Sequence, residues 1–239
     1  MIEVSVCIAT YNGEKYIKEQ IESILHQTQS VDEIVISDNY STDSTMDILM
    51  SFNEEKIKVY SFREPDVSLN FENAIKHASG KYVFLCDQDD IWIENKVELM
   101  MDQSQENCLV ISNAQVFNSK GIIGDWFSLR KSTRDTMSNL IRFSYLGCCF
   151  LAQKELLNKC MPFPNTKTLI SHDNWIYFNA GFYGKIKIID ECLVKYRRHE
   201  NNVSGGVKSK RSIFEKILYR LRLIYYLYEN IIHRRYPNI

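Results

Sequence analysis

Three acidic residues lie within four positions, directly after a short apolar run. The run is Tyr82 to Cys86, and the acids are Asp87, Asp89 and Asp90. Like charges this close are unfavourable unless a cation lies between them, and divalent ions such as Mg²⁺ prefer carboxylate oxygens as ligands. The spacing therefore predicts a metal site. In a simpler alternative Asp90 caps a helix that starts near Ile93 and the other acids are solvated, but capping accounts for only one acid.

The apolar run has the length of a buried strand, and the chain before it alternates strand-like and helix-like patterns. Strands are predicted at Glu3 to Ala9, Glu33 to Ser37 and Ile57 to Phe62, with amphipathic helices after them. This alternation is typical of a parallel sheet, in which ligands bind beyond the carboxyl ends of the strands. The acids that follow Tyr82 to Cys86 are therefore expected in a ligand site.

The second half of the chain is less regular. The segment from Asn118 to Thr136 has weak periodicity and is interpreted as a loop over the site. The predicted elements are strands at Cys108 to Phe117, Tyr145 to Leu151 and Lys185 to Tyr196, and helices at Lys154 to Cys160 and Ser171 to Phe182.

Two further strand ends carry polar residues that suit a nucleotide. Thr10, Tyr11 and Asn12 follow the first strand, and Asp38 follows the second. Main-chain groups and one carboxylate at the same sheet edge could clamp a base and a ribose. Each signal is weak alone, because Asp38 could equally stabilise a turn and the glycine patterns of other phosphate-binding loops are absent.

Composition limits the class of protein. The 239 residues are 45% hydrophobic and 25% charged, with a net charge of −1, as in soluble globular proteins. The seven cysteines form no CxxC pair and lie mostly in apolar runs, which indicates buried thiols in a reducing compartment. No signal peptide and no membrane span are expected. The sequence predicts a cytoplasmic protein, with at most peripheral contact at the inner face of a membrane.

Residues 207–239 differ from the rest of the chain. They contain eight Lys or Arg against two acids, and they place Ile217, Leu221 and Ile224 on one helical face. This pattern predicts a basic amphipathic helix, which suits an anionic membrane. Packing against the domain and pairing with a second copy remain equally compatible. Because the rest of the chain is net acidic, nucleic acid is not an expected partner.

Taken together, these segments resemble family 2 glycosyltransferases of the GT-A fold, enzymes that move a sugar from a nucleotide-sugar to an acceptor. The forms DQDDIW and HDNW are most similar to bacterial rhamnosyltransferase-type members that build surface polysaccharide. The matching segments are VSVCIATYNGEKYIKEQIESIL (Val4 to Leu25), EIVISDNYSTDST (Glu33 to Thr45), GKYVFLCDQDDIW (Gly80 to Trp92), GCCFLAQKEL (Gly147 to Leu156), SHDNW (Ser171 to Trp175) and YRRHENNVSG (Tyr196 to Gly205).

The resemblance implies an α/β fold with a mostly parallel central sheet flanked by helices. It places a GT-A domain at residues 1–206, with a nucleotide-sugar-binding half at about 1–103, an acceptor-binding half at about 104–206, and the basic helix at 207–239. It also implies a metal-dependent, inverting transfer. The expected donor is a UDP- or dTDP-sugar such as dTDP-rhamnose, and the expected acceptor is a saccharide or a lipid-linked saccharide.

The resemblance further implies roles for single residues. Asp87 and Asp89 match the DxD motif that holds Mg²⁺ or Mn²⁺ against the donor diphosphate, and His199 matches a histidine that reaches the metal or the diphosphate. Asp173 lies where inverting members place the catalytic base. The expected donor contacts are Ala9, Thr10, Tyr11, Asn12, Asp38, Asn73, Asp87, Arg197 and Asn202. The expected acceptor contacts are Asp90, Trp92, Gly147, Cys148, His172 and Trp175.

One departure from the family pattern concerns the donor. Many members have two acids where this chain has Asp38 and Asn39, which leaves one fewer contact to the base and keeps donor identity open. Simpler roles also remain for the assigned residues. Asp173 could cap the following helix, His199 could be an ordinary surface or core histidine, and Trp175 could pack in the core.

Two pairs of residues allow other interpretations. His172 and Asp173 are adjacent, but neighbouring side chains on a helix diverge by about 100°, so they are not expected to hold one ion together. A phosphohydrolase would use Asp87 as nucleophile and Asp89 as acid, but the sequence that follows the pair does not fit such enzymes. A nucleotide-sugar-binding protein without turnover is disfavoured by the presence of Asp173 and His199.

Overall fold

The computed structural model describes residues 3–164, 170–200 and 212–235 of the chain. Strands and helices alternate through the first part, which confirms the pattern predicted from the sequence. These elements are β1 (Val4–Thr10), α1 (Ile17–Leu25), β2 (Glu33–Asp38), α2 (Thr45–Ser51), β3 (Ile57–Ser61), α3 (Val67–His77) and β4 (Tyr82–Cys86).

Burial explains why these segments take this form. Val6 and Ile8 of β1 are fully buried, and so is their neighbour Cys7, whose side chain points to the opposite face of the strand. Strands buried on both faces are typical of parallel sheets covered by helices. In α1, the residues Ile17 and Ile21 share one face and are also fully buried. Each such side chain contributes about 1.5–3 kcal/mol on burial, so packing holds the helix on the sheet.

The second part of the chain adds shorter elements. A single turn of 3₁₀ helix covers Gly147–Cys149, directly before β8. The others are β5 (Ile91–Trp92), α4 (Lys96–Asp102), β6 (Cys108–Asn118), β7 (Gly121–Asp125), α5 (Trp126–Arg130), α6 (Thr136–Ile141), β8 (Phe150–Gln153), α7 (Lys154–Cys160), α8 (His172–Tyr183), β9 (Lys185–Arg197) and α9 (Ile213–Arg235).

The strands form one sheet in the order β3-β2-β1-β4-β8-β6-β9-β5, with β7 paired to β6. From β3 to β4 all pairs are parallel. Beyond β4 the sheet is mixed, because β8 is antiparallel to both β4 and β6, and β9 is parallel to β6 but antiparallel to β5. The expectation of a mostly parallel sheet therefore holds for the first half only. The strand that carries the acids lies where the two halves meet.

The segment predicted as a loop, from Asn118 to Thr136, contains regular structure. β7 forms an antiparallel hairpin with β6, and α5 follows it directly. Gly121 and Gly124 have φ values of 121° and 152°, which residues with a side chain rarely adopt. The prediction was wrong because β7 is largely exposed, so it lacks the apolar pattern by which a buried strand is detected.

The strand predicted at Tyr145 to Leu151 was placed too early. Its first residues are buried but irregular, and the strand β8 begins only at Phe150. The carbonyl of Cys148 accepts a hydrogen bond from the Lys96 ammonium at 2.8 Å instead of pairing with a strand. An apolar run by itself does not separate a buried turn from a strand.

The last helix, α9, packs against the domain through one face. Leu223 is 1% exposed, and the Asn230 amide donates hydrogen bonds to Asn179 Oδ1 at 2.7 Å and to the Lys159 carbonyl at 3.1 Å. Across the described ranges no helix, α9 included, has the length and apolar character that crossing a membrane requires. The cysteines are all free thiols, and every one except Cys192 is buried, as the sequence predicts.

Candidate functional site

The acids after β4 form an acidic tip of the sheet, in which Asp90 is buried and Asp87 and Asp89 are partly buried. Asp90 is 1% exposed, and its Oδ1 accepts the Arg197 backbone N–H at 2.9 Å. Its Oδ2 is also buried, and it has no hydrogen-bond partner among the described residues. Asp90 does not cap α4, whose N-cap residue is Asn95, so the alternative based on helix capping is wrong.

Burial and neighbouring charges raise the pKa values of Asp87 and Asp90. Burial, followed by the charges of Asp90, Asp89 and Asp173, raises the pKa of Asp87 well above its ordinary range. Burial and the charge of Asp89 raise the pKa of Asp90 to about 8, although the hydrogen bond from Arg197 opposes the shift. Carboxyl groups arranged in this way would be ionised at neutral pH only with a cation beside them. A divalent cation therefore fits this tip of the sheet.

A thiol completes a possible ligand set for such an ion. One potential ligand atom from each of Asp87, Asp90 and Cys148 lies within 4.8 Å of the others. Cys148 belongs to the 3₁₀ turn before β8 and is fully buried. Within residues 3–164, 170–200 and 212–235 this is the one such group of three His, Cys, Asp or Glu side chains.

Asp89 turns toward a different partner. Its Oδ2 lies 2.6 Å from Nε2 of His199, and both side chains are mostly buried. The His199 ring packs against Tyr16, with ring centroids 4.8 Å apart. The two residues expected to reach a metal or diphosphate therefore contact each other at the rim of the acidic tip. Whether they contact an ion remains a prediction.

Arg197 closes this side of the site. Its Nε donates to the Asp89 carbonyl at 2.8 Å, and its guanidinium also pairs with Glu19. The same group lies 4.9 Å above the Tyr16 ring and 4.8 Å above the Phe117 ring. These contacts fix the end of β9 against the acids. Asn202, another expected donor contact, lies outside the described residues.

The turn after β1 is held by a side chain from the acidic motif itself. Oε1 of Gln88 accepts hydrogen bonds from Thr10 Oγ1 at 2.6 Å and from the Tyr11 backbone N–H at 2.9 Å. Nε2 of Gln88 donates to the Tyr11 carbonyl at 3.1 Å. Tyr11 remains 54% exposed, so its ring is available to a ligand. Ala9, at the end of the same strand, pairs in register with Ser37 of β2.

The turns after β1 and β2 are linked to each other. Asn12, at a φ of 48°, donates its backbone N–H to Ser41 Oγ at 2.9 Å and accepts the Thr42 N–H on its side chain at 2.8 Å. The next N–H, of Gly13, donates to Thr45 Oγ1 at 2.7 Å. The two predicted nucleotide turns therefore form one connected loop structure.

The Asp38 side chain stabilises the turn that follows β2. Both carboxylate oxygens accept hydrogen bonds from Ser41, one from the backbone N–H at 2.9 Å and one from the hydroxyl. Asn39, the next residue, donates its side-chain amide to the carbonyls of Phe62 and Glu64. Asn73 of α3 donates to Ser37 Oγ at 2.8 Å, so it too lies at the end of β2.

Asp173 lies close to the 3₁₀ turn that carries Cys148. It lies in the first turn of α8, whose N-cap residue is Ser171, so the alternative in which Asp173 caps this helix is wrong. Its charge contributes to the raised pKa of Asp87. A Cβ at Gly147 would lie 3.4 Å from the Asp173 Cβ. The absence of a side chain at Gly147 leaves room for α8 to bring Asp173 to the tip.

His172 lies beneath the site, with its Nε2 beside Gly147. Its ring packs on Phe71 with centroids 4.2 Å apart, and its Nε2 is buried without a hydrogen-bond partner among the described residues. Burial lowers the pKa of His172, although Asp173 and Asp66 oppose the shift. The neutral ring therefore acts as packing beneath the site.

The two tryptophans expected to contact an acceptor are core residues. Trp175 is 2% exposed and donates its indole N–H to the Cys160 carbonyl at 2.6 Å. Trp92 is 3% exposed and lies under the Lys96 ammonium, 3.9 Å from the ring centroid. Trp126, the third tryptophan of the chain, is 5% exposed. Their burial corrects the expectation, because it leaves almost no ring surface for a sugar.

Two residues of the site were not predicted from the sequence. Gln88 stands between the first two acids of the motif, and that position was the available signal for a role near the nucleotide turn. Lys96 is fully buried beneath the 3₁₀ turn, and burial lowers the pKa of its ammonium. Nothing in the helical pattern of α4 distinguishes Lys96 from an ordinary surface lysine.

Comparison with known proteins places the chain in a well-populated group. Residues 5–161 match the sequence profile of glycosyl transferase family 2. The dTDP-rhamnosyl transferase RfbG of Shigella flexneri is 32% identical over 231 residues, which cover 88% of this chain and 78% of RfbG. The enzyme WfgD of Escherichia coli, a UDP-Glc:alpha-D-GlcNAc-diphosphoundecaprenol beta-1,3-glucosyltransferase, is 27% identical over 214 residues, or 85% of this chain and 80% of WfgD.

The fold also matches solved structures. Residues 1–349 of TarS from Staphylococcus aureus, crystallised in complex with UDP-GlcNAc, superpose with a TM-score of 0.69 at 21% identity. The match covers 92% of this chain and 66% of the TarS chain. At this level of identity the match shows a shared fold.

Proposed function

The chain belongs to glycosyl transferase family 2, and from that premise we propose that it transfers a sugar with inversion from a nucleoside diphosphate donor to a saccharide acceptor of a bacterial surface polysaccharide. It is a glycosyltransferase with the GT-A fold expected from the sequence. One observation carries the proposal: a Cβ at Gly147 would lie 3.4 Å from the Asp173 Cβ, and the next residue, Cys148, has its sulfur within 4.8 Å of ligand atoms of Asp87 and Asp90.

The donor would occupy the cleft at the carboxyl ends of β1, β2 and β4. The linked turns after β1 and β2 offer main-chain groups and the exposed Tyr11 ring to the base and ribose, with Asp38 and Asn73 at the end of β2. Arg197 lies beside the acidic tip and would face the diphosphate. Asn202 follows it in sequence and is proposed as a further contact.

The acidic tip is proposed to hold Mg²⁺ or Mn²⁺. The donor atoms are of the right kind, and the unpartnered Oδ2 of buried Asp90 is accounted for if a cation lies beside it. Asp87 and Asp89, with His199 beside them, remain the proposed ligands from the sequence motif. When bound, the ion would neutralise the charge that develops on the leaving diphosphate without proton transfer.

Asp173 is proposed as the base that receives the proton of the acceptor hydroxyl. An ordinary aspartate, with a pKa of about 3.9, is too weak to ionise a free alcohol. The proton transfer is therefore effective only as the bond to the leaving group breaks, when the attacking hydroxyl becomes acidic. The role of α8 is to place this carboxylate on the acceptor side, so position contributes more than basicity.

The names of the relatives suggest the kind of donor and acceptor. RfbG is a dTDP-rhamnosyl transferase, and WfgD acts on a diphosphoundecaprenol-linked sugar. A dTDP- or UDP-sugar is therefore the proposed donor, dTDP-rhamnose among them, and a saccharide or lipid-linked saccharide the proposed acceptor. Calorimetric titration with UDP-, dTDP- and GDP-sugars in the presence of Mn²⁺ would identify the nucleotide.

Replacing Asp173 tests the function directly. Asp173→Asn keeps the size of the side chain, so donor binding measured by calorimetry should stay within a few-fold of the wild type while transfer falls by at least about 10²-fold. Asp190→Asn, an exposed residue with 77% of its side chain accessible, is the matched control and should retain activity. Full transfer activity in Asp173→Asn would remove the assignment.

The free face of α9 is proposed to lie on an anionic membrane, where a lipid-linked acceptor is found. Its exposed apolar stripe comprises Phe214, Ile217, Leu221, Ile224, Tyr225 and Tyr228. Lys216 and Arg220 on one side and Arg222 on the other flank this stripe by helical position. An apolar stripe bordered by cations is typical of helices that bind anionic lipid surfaces. The proposed location is thus the cytoplasm, peripheral to the inner face of the membrane.

Vesicle sedimentation tests the membrane contact. The full chain should pellet with vesicles that contain an anionic lipid and much less with neutral vesicles, and the double variant Ile217→Asp, Leu221→Asp should lose pelleting. Met50→Asp changes an equally exposed apolar residue of α2 and should have no effect. Unchanged pelleting of the double variant would contradict the proposal. If the wild type is a dimer and the double variant is a monomer, the stripe is assigned to self-association instead.

A further inference from the structure

Cys148 lies beside Asp87 and Asp90 at the acidic tip. Its sulfur and one oxygen each from Asp87 and Asp90 lie within 4.8 Å of one another, and the cysteine side chain is fully buried. Burial raises the pKa values of Asp87 and Asp90, and this shift is opposed in both by hydrogen bonding with the Cys148 thiol. Its position among potential ligands raises the question of what ion the site prefers.

The backbone of Cys148 is held in place from below. The Lys96 ammonium, which is fully buried, donates a hydrogen bond to the Cys148 carbonyl at 2.8 Å and lies 3.9 Å from the centre of the Trp92 ring. A buried ammonium is retained only when such partners compensate for its lost hydration. The 3₁₀ turn that carries the thiol is therefore a fixed support for the acidic tip.

The neighbouring carboxyl group has capacity for a ligand. Asp90 uses Oδ1 for the Arg197 backbone N–H, whereas its buried Oδ2 has no hydrogen-bond partner among the described residues. An oxygen in this state beside a second carboxyl group and a thiol is the arrangement that a metal ion would satisfy. A set of two oxygens and one sulfur differs from the all-oxygen sets that Mg²⁺ requires, because sulfur is a soft ligand.

We propose that Cys148 and Asp90 are further ligands of the cation proposed at Asp87 and Asp89, and that the sulfur gives the centre a preference for thiophilic divalent ions over Mg²⁺. On binding, a metal–sulfur bond forms and the thiol proton leaves to solvent. Zn²⁺ and Cd²⁺ gain most from the sulfur, Mn²⁺ less and Mg²⁺ least. The inference rests on the proposed function, since the same ion would face the donor diphosphate.

The test uses the full chain and Cd²⁺ as the probe. Wild-type protein should show the ultraviolet charge-transfer absorption of a cadmium–thiolate bond, and calorimetry should show tighter binding of Cd²⁺ than of Mg²⁺. Cys148→Ser retains a polar group of similar shape but removes the soft ligand. It should lose the absorption, and its preference for Cd²⁺ over Mg²⁺ should fall by about 10–100-fold.

A matched thiol variant controls for cysteines elsewhere. Cys160 is equally buried, and its sulfur bonds to the Leu156 carbonyl within its own helix, so Cys160→Ser should keep both the absorption and the preference for Cd²⁺. If Cys148→Ser keeps both as well, the proposal is overturned. If that variant does not fold, cadmium magnetic resonance of the wild type decides, because an all-oxygen chemical shift excludes the sulfur ligand.

Failure of the inference and failure of the proposed function have different signatures. Suppose that Cys148→Ser binds a nucleoside diphosphate with Mg²⁺ and transfers sugar, but shows the wild-type preference for Cd²⁺. This result overturns only the proposal that Cys148 is a metal ligand. Wild-type protein that binds neither a divalent ion nor a nucleoside diphosphate contradicts both.

Discussion

Nε2 of His199 lies 2.6 Å from Oδ2 of Asp89, although 110 positions separate the two residues in the sequence. The contact joins the end of the last strand, β9, to the acidic tip after β4. Tyr16 covers the outer side of the His199 ring. Asp89 is thereby oriented by a partner that no local pattern connects to it.

Removing that partner should weaken the donor site. His199→Ala leaves Asp89 without its contact to the ring, so we expect the affinity for a nucleoside diphosphate with Mn²⁺ to fall by about 10–100-fold, as for other groups that orient metal ligands. Calorimetry measures the affinity. His26→Ala, at an exposed histidine of the α1 terminus, is the control and should bind as the wild type does. Equal affinities for both variants would show that the contact has no role in binding.

We expect Gln88 to affect the binding of the nucleotide rather than the binding of the metal. Gln88→Ala removes three hydrogen bonds that fix Thr10 and Tyr11, so the turn loses its preformed shape. We expect a rise of about 10-fold in the donor KM, because a turn that must be ordered on binding reduces affinity. The kcat should change less. Steady-state kinetics at varied donor concentration measure both values.

The control for Gln88 is Gln105→Ala, since Gln105 is an exposed glutamine before β6. It should leave both kinetic constants unchanged. A fall in kcat with an unaltered KM in Gln88→Ala would place Gln88 in the transfer step and contradict the prediction.

We expect Asp90 to lower the stability of the metal-free fold and to be needed for metal binding. Its side chain is buried beside two other acids, so Asp90→Asn relieves repulsion while still accepting the Arg197 N–H. We expect the metal-free variant to melt at a higher temperature than the wild type, by about 2–4 °C per kcal/mol of relieved repulsion. Calorimetric melting with a chelator present measures this. Addition of Mn²⁺ should raise the melting temperature of the wild type but not of the variant.

Glu33 is a second buried carboxylate, placed away from the acidic tip. Its oxygens accept hydrogen bonds from Ser5 Oγ at 2.6 Å, the Ser79 N–H at 2.7 Å and the Lys58 ammonium at 2.7 Å. Burial raises the pKa of Glu33, but the hydrogen bonds from Lys58, Ser5 and Ser79 outweigh it, so the pKa lies below its ordinary value. The ionised carboxylate therefore joins β2 to β1, β3 and the segment before β4.

Glu33→Gln should destabilise the fold in a pH-dependent way. Because the folded-state pKa is lowered, the stabilisation is complete above the unfolded pKa of about 4.3 and is lost as the pH falls through the folded-state pKa. We expect the variant to lose about 2–3 kcal/mol at neutral pH, the scale of hydrogen bonds to a charged group. Urea unfolding at several pH values should show this difference shrinking in acid. A difference that is constant with pH would contradict it.

Much of the first half of the fold can be predicted from local sequence patterns. Buried strands of five to seven residues followed by amphipathic helices predict a parallel arrangement, and the acids after β4 mark the active edge because carboxyl ends of parallel strands meet there. Residue type and spacing predict a metal site at Asp87 and Asp89, and the family resemblance adds Asp173; these roles stay predictions. The burial of Asp90 and the contact of Asp89 with His199 depend on the tertiary structure.

The pattern was insufficient where structure depends on partners far along the chain. Trp92 and Trp175 have the chemistry of sugar-stacking rings, yet the fold packs both in the core. β7 is exposed and short, so nothing in its composition distinguished it from a loop. Residue type states what a side chain is able to bind, but its accessibility follows from the packing of all elements around it.

The sequence by itself determined that this chain has strands ending in acids, a polar turn after the first strand and an aspartate in the first turn of a later helix, because each is a short-range property. Only the tertiary structure decided which groups meet. The antiparallel pairing of β8 with β4 brings the 3₁₀ turn to the acids, so that Cys148 joins Asp87 and Asp90 with Lys96 beneath. Contacts between residues more than fifty positions apart are set by strand order, which local propensity does not encode.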